Sequence, residues 1–130
     1  MTGLLSEDLN YCYSLMFTAE KNLEKGCFMK ALLCYENCRE LAESELKNSE
    51  IYIHSYLRAS RKEAQILIKL NLNRKALSIL QNTLKNVADD FHSMDKFLVL
   101  SQTVGLCNAL ECDNTEYYQK MMDVEYSNLE

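Results

Sequence analysis

The sequence predicts an all-α protein made of antiparallel helical hairpins. Across 130 residues there is no proline and there are only three glycines, Gly3, Gly26 and Gly105. Because those two residues punctuate turns, their scarcity calls for long helices joined by short connections. Apolar residues recur every three or four positions along most of the chain, the spacing of helices that each bury one face. The stretch from Ala19 to Cys38, AEKNLEKGCFMKALLCYENC, reads as a helix end, a tight turn at Gly26 and a second amphipathic helix beginning at once.

Composition narrows the class further. With 48% apolar and 25% charged residues in 15.1 kDa, residues 1–130 have the make-up of a single globular domain, long enough to bury roughly two-thirds of the unfolded surface. A net charge of −5, with acids spread from Glu7 to Glu130, gives no general pull toward nucleic acid or anionic lipid. No apolar run approaches the ~20 residues that span a bilayer. The start, MTGLLSEDLN, lacks the basic region and apolar core of a secretion signal. The expectation is a soluble intracellular protein, cytoplasmic or nuclear. The six cysteines, Cys12, Cys27, Cys34, Cys38, Cys107 and Cys112, form no CxxC pair, and on apolar helical faces cysteine packs as a small hydrophobe. Cys34 and Cys38 with His54 or His92 lack a recognisable zinc spacing, so neither a metal nor a cofactor is expected.

Each element follows from its local signals. Ser6 is placed to cap a first helix, with Glu7 and Asp8 in its first turn. That helix carries Leu9, Cys12, Leu15, Met16, Ala19 and Leu23 and runs to about Lys25. Gly26 supplies a left-handed turn. Phe28, Ala31, Leu32, Tyr35, Cys38, Leu41 and Ala42 then place a second helix antiparallel to the first. Ser49-Glu50 starts a third, with Ile51, Ile53, Tyr56, Leu57, Ala59, Ala64, Leu67, Ile68 and Leu70. Asn71-Leu72-Asn73 turns into a fourth, from Ala76 to Val87. Ser93 or Asp95 caps a fifth through Phe97, Leu100, Val104 and Ala109, and Asp113-Asn114 turns into a sixth around Tyr117 to Leu129. The three hairpins cover about 6–46, 49–88 and 93–129.

The first two hairpins align. Gly26, Phe28, Ala31, Tyr35 and Cys38 lie over Asn71, Asn73, Ala76, Leu80 and Thr83. Small residues alternate with large ones, as close helix crossings require. On these residues, and on Leu15, Thr18, Ala19 and Asn22 of the first helix, the sequence resembles the tetratricopeptide repeats. A third, looser copy takes Gly105 as the small residue of its first helix and Tyr117 where alanine is usual. The interval from Ala31 to Ala76 is 45 residues, against about 34 in the family, and the proline that commonly ends a repeat is absent. That looks like the long-helix variants of kinesin light chains, Leu-Gly-Asn-repeat adaptors and cell-division scaffolds. The resemblance implies a right-handed α-solenoid of about three hairpins, with six or seven helices. The other reading of the same pattern is an ordinary six-helix bundle.

The resemblance also implies a function, a non-catalytic adaptor or scaffold holding a partner's peptide or helix in a concave groove lined by the first helix of each hairpin. The groove positions carried over are Tyr13, Met16 and Glu20, then Arg58, Arg61 and Gln65, then Val99 and Gln102. Arg58, Arg61 and Lys62 fall on one helix face, and guanidinium groups there suit an acidic peptide or a terminal carboxylate. The carboxylate clamp of some relatives needs Lys and Asn where this chain has Met16 and Glu20. A small dedicated chaperone, of the kind serving secretion systems, is the alternative function. The last helix, with Tyr118, Met121, Met122 and Tyr126, has no further repeat to pack on, so the third hairpin is expected to cap the stack or dock a second copy or another subunit. His54 and His92 lie outside any motif, and no GxSxG, glycine-rich phosphate loop or HExxH is present. Enzymatic activity is not expected.

Overall fold

The structure, a computed structural model, describes residues 7–129, so the expected cap at Ser6 lies outside the described residues. Six α-helices follow in chain order: α1 (Glu7–Glu24), α2 (Phe28–Leu46), α3 (Ile53–Lys69), α4 (Asn73–Lys85), α5 (Met94–Ala109) and α6 (Thr115–Ser127). A 3₁₀ turn at Glu50–Tyr52 leads into α3, and no strand occurs among the described residues. Ser49 therefore starts the 3₁₀ turn, accepting from the Ile51 N–H at 3.4 Å, and α3 itself begins four residues later. Of the two caps expected for α5, Ser93 serves, its hydroxyl accepting from the Lys96 N–H at 3.1 Å.

The three hairpin turns share one backbone device. Gly26, Asn71 and Glu111 are left-handed, with φ of 78°, 63° and 54°. At the first, the Gly26 N–H donates to Leu23 O (2.9 Å) and the Cys27 N–H to Asn22 O (2.8 Å). The same pair runs from Asn71 to Ile68 (3.0 Å) and Leu72 to Leu67 (2.8 Å), then from Glu111 to Asn108 (3.2 Å) and Cys112 to Cys107 (2.9 Å). These are the two bonds of a Schellman cap, which satisfies carbonyls that a helix end leaves open. Glycine and asparagine take that conformation at low cost. The third turn was expected at Asp113-Asn114, yet its left-handed residue is Glu111. There the two cap bonds, each worth about 0.5–1.5 kcal/mol net, offset a left-handed penalty of about 1–2 kcal/mol.

Each helix packs on the next, and α3 also touches α5 and, more lightly, α1. Alanines sit at the crossings: Ala19, Ala31, Ala42, Ala59, Ala64 and Ala76 are all 0% exposed. The second helices of the three hairpins can be compared residue by residue. Their fourth residues are Ala31, Ala76 and Tyr118, and their eleventh are Cys38, Thr83 and Glu125, all buried. The third hairpin thus keeps the burial pattern and changes its chemistry. Two sequence assignments are corrected. Tyr118, not the exposed Tyr117, stands where alanine stands elsewhere, because α6 starts four residues after its left-handed turn residue while α2 and α4 start two after theirs. Gly105 is exposed, and a Cβ there would meet nothing within 4 Å, so it marks no close crossing.

Every eleventh position makes a polar contact with the first helix of its own hairpin or that helix's cap. The Cys38 thiol donates to Cys12 O (3.6 Å), with a longer contact from the Cys12 thiol to Cys38 O (4.0 Å). Thr83 donates to Ser60 Oγ (2.8 Å), whose own proton goes to Tyr56 O (2.8 Å). Glu125 accepts from the Ser93 N–H (2.7 Å), meets His92 Nδ1 at 2.9 Å and lies 3.6 Å from Lys96 Nζ. Between hairpins one and two, Arg39 of α2 reaches the buried Glu63 of α3 with Nε on Oε1 and Nη2 on Oε2.

Candidate functional site

The face shared by α1, α3 and α5 is the place to look for the expected groove, because α3 touches both α1 and α5 as well as its chain neighbours. On α1, Tyr13 and Glu20 are exposed, whereas Met16 is buried in the core. On α3, Arg58 and Gln65 are exposed and Arg61 and Lys62 half-buried. On α5, Gln102 is half-buried and Val99 fully buried. Met16 and Val99 are therefore corrections: both belong to the hydrophobic core, so neither offers surface to a partner.

The basic residues separate into two settings. Arg58 Nη2 lies 3.7 Å from Asp95 Oδ1, and His54 Nδ1 lies 3.6 Å from the other oxygen of the same carboxylate. His54 also sets its ring edge against Phe91, centroids 5.8 Å apart. Asp95, which the sequence suggested only as a possible cap, thus engages Arg58 across the α3–α5 junction; at 50% side-chain exposure for Arg58 the pair adds little to stability. Arg61 is different. No carboxylate pairs with it among the described residues, and its carbonyl accepts from Gln102 Nε2 at 3.2 Å, which joins α3 to α5 in mid-helix.

On α2, α3 and α5 three buried polar atoms have no partner among the described residues: Tyr35 Oη, Arg61 Nε and Gln102 Oε1. Tyr35 comes from α2 and is 0% exposed. Its hydroxyl is pushed up to about 12, first by burial and then by the Glu20 carboxylate, with the Arg61 charge acting the other way. Glu20, Tyr35 and Arg61 thereby share one electrostatic neighbourhood, which Gln102 joins through its bond to the Arg61 carbonyl. Buried polar groups nearly always find a partner, and each one left without costs about 1–3 kcal/mol. The sequence assigned Tyr35 to the core alone. Its aromatic body fits that place, and nothing in the helical spacing marks the stranded hydroxyl.

The expected end face is partly redrawn. Tyr118 is buried, a correction, because it fills the α5–α6 crossing; Met121 and Met122 are half-buried; Tyr126 is exposed and leans on Phe97 with centroids 5.8 Å apart. Behind them lies a cleft of about 370 Å³ lined by Asp89, His92, Lys120, Met121, Val124 and Glu125, among others. Its floor is a polar cluster the sequence reading missed. Lys96 Nζ is caged by the carbonyls of Ala88 (3.2 Å), Asp89 (3.4 Å) and Phe91 (2.9 Å) beside Glu125. The only sequence signal was two charged residues at positions that helical spacing assigns to the interior. A larger cleft, about 730 Å³, separates the C-terminal ends of α2 and α4. At that end Tyr56 donates to Glu43 (3.1 Å) and accepts from Asn86 (2.9 Å).

Among the described residues no group of three or more His, Cys, Asp or Glu side chains is arranged to hold a metal ion, and no helix is long and apolar enough to cross a membrane. Comparison with family models, with curated proteins and with solved structures finds no match for the chain.

Proposed function

We propose that the chain is a non-catalytic protein-interaction domain, a right-handed stack of three tetratricopeptide-like hairpins that holds a partner's peptide or helix along α1, α3 and α5. The observation that carries this reading is the outward polar set of that face, Tyr13, Glu20, Arg58 and Gln65 with the half-buried Arg61 and Gln102, where no carboxylate pairs with Arg61 among the described residues. A peptide carboxylate seated on that face gains the Arg61 guanidinium as a charge-assisted donor. The repeated turn geometry at Gly26, Asn71 and Glu111 and the contacts of α3 with α1 and with α5 support the stacked arrangement.

The test separates the face from the core behind it. Peptides selected from a displayed random library are titrated against the wild type and against Tyr35→Phe, Gln102→Leu and Arg61→Glu. Tyr35→Phe removes a fully buried hydroxyl and should keep or raise stability, by up to about 1 kcal/mol, with peptide binding unchanged, whereas Gln102→Leu also breaks the bond to the Arg61 carbonyl and should lower stability by about 0.5–1.5 kcal/mol and weaken the selected peptides. Arg61→Glu should abolish acidic binders. Selected peptides that bind Gln102→Leu and Arg61→Glu like wild type would remove the reading.

A further inference from the structure

We propose that Cys112 is a thiol-modification site for small disulfides of the glutathione type, and that Cys107 resolves the adduct into an intrachain disulfide across the α5–α6 turn. The backbone argument comes first. In a Schellman cap the residue two beyond the helix end bonds back to the carbonyl five residues earlier, and a side-chain contact between these two residues frequently accompanies the bond. In the second turn that pair is Leu67 and Leu72, an apolar contact of the usual kind; in the first it is Asn22 and Cys27; in the third it is Cys107 and Cys112. The 2.9 Å bond from the Cys112 N–H to Cys107 O makes the two thiols leave the backbone from adjacent points, as a disulfide requires.

The two sulfurs have unequal access. Cys107 is buried, and its thiol donates to Asn114 Oδ1 at 3.7 Å; Cys112 is partly exposed. Burial, reinforced by the neighbouring Cys112, pushes the Cys107 thiol up to about 11. Cys112 is therefore the sulfur an external disulfide reaches, and Cys107 is held back as the second nucleophile. The exchange balances. Cys112 thiolate attacks one sulfur of the small disulfide, forming a mixed disulfide and releasing one thiolate. Cys107 sulfur then attacks Cys112 sulfur, forming the Cys107–Cys112 bond and expelling the second thiolate, while the two thiol protons pass to the thiolates released. The small disulfide is reduced to two thiols and the protein dithiol is oxidised. Cys12 and Cys38 offer a contrast within the same chain, since both are buried with no exposed surface.

The full chain is incubated with oxidised glutathione, alkylated and digested with trypsin. Phe97 to Lys120 emerges as one peptide that holds Cys107 and Cys112 and no other cysteine. In the wild type that peptide should lose two hydrogens, resist alkylation and recover with dithiothreitol. In Cys107→Ala, checked for an unchanged thermal unfolding curve, glutathione should accumulate on Cys112 several-fold over wild type; in Cys112→Ala the peptide should carry neither modification. A wild-type peptide that stays doubly alkylated up to fully oxidised glutathione overturns the proposal. So does glutathione that persists on Cys112 equally in wild type and Cys107→Ala.

Discussion

Replacing Arg39 with methionine is expected to cost about 3–5 kcal/mol at neutral pH, the range for stranding one member of a buried ion pair. The structure supplies the reason. The Glu63 side chain is 2% exposed and that of Arg39 14%, so water reaches neither well. The other charges acting on Glu63 are Glu36 and Glu40, both of the wrong sign to replace the guanidinium. For a domain with about 5–15 kcal/mol in total the loss is large, equivalent to about 10–20 °C in thermal midpoint at this size. Burial already pushes the Glu63 carboxyl above the ordinary range, with Arg39 pulling it back, so the substitution raises it further. A group that holds its proton more tightly when folded gives stability that is full below its unfolded value and lost as pH climbs through the folded value. The penalty in Arg39→Met should therefore be clearly smaller near about pH 5 than near about pH 8, measured by urea unfolding at both. The double variant Arg39→Met/Glu63→Leu should recover most of the loss, because an apolar pair replaces the ionic one. A single variant costing less than about 1 kcal/mol at both pH values, or a double no better than the single, would refute the argument.

Two further outcomes rest on equally specific contacts. Gly26→Ala should destabilise by about 1–2 kcal/mol although a Cβ meets nothing within 4 Å, because φ is 78°; Gly105→Ala, in open space on α5, should stabilise by about 0.5–1 kcal/mol in the same urea titration. Lys96→Met frees the carbonyls of Ala88, Asp89 and Phe91 and leaves Glu125 with His92 and the Ser93 N–H. A loss of about 3–5 kcal/mol is expected, with amide exchange rising in residues 88–93 and α6 while α1 and α2 keep their protection.

What was legible follows from what each signal encodes. Helical spacing, Gly26, Asn71 and Ser93 announce themselves because each has a local cause: periodicity, tolerance of positive φ, a side-chain acceptor. The third turn was placed late because Glu111 has no such tolerance and is held left-handed by cap bonds that only the folded chain makes. The shift passed down α6 and exchanged Tyr117 for Tyr118 at the crossing. On the candidate face, the resemblance named Tyr13, Glu20, Arg58, Arg61, Gln65 and Gln102 together with Met16 and Val99, and only the folded packing sets the last two apart as buried. Tyr35 Oη and the Lys96 cage were invisible for another reason. A hydroxyl's partner, or its absence, is set by segments far apart in sequence: α2 against α3, and the loop before α5 against α6.

The eleventh residue of each second helix connects these observations. In hairpin one it is a thiol facing a thiol, in hairpin two a hydroxyl facing a hydroxyl, in hairpin three a carboxylate facing lysine and histidine. Each site is buried and each contact is made within its own hairpin, and that ties the two helices of the hairpin in one register. The demand rises along the chain, because a buried carboxylate needs charged partners where a thiol needs almost none. That explains why Lys96 is drawn inward and why the loop before α5 must fold over it with three carbonyls. With Tyr118 in place of alanine at the fourth position of α6, the last helix is held by polar anchors and one large ring where the first two hairpins use close backbone contact.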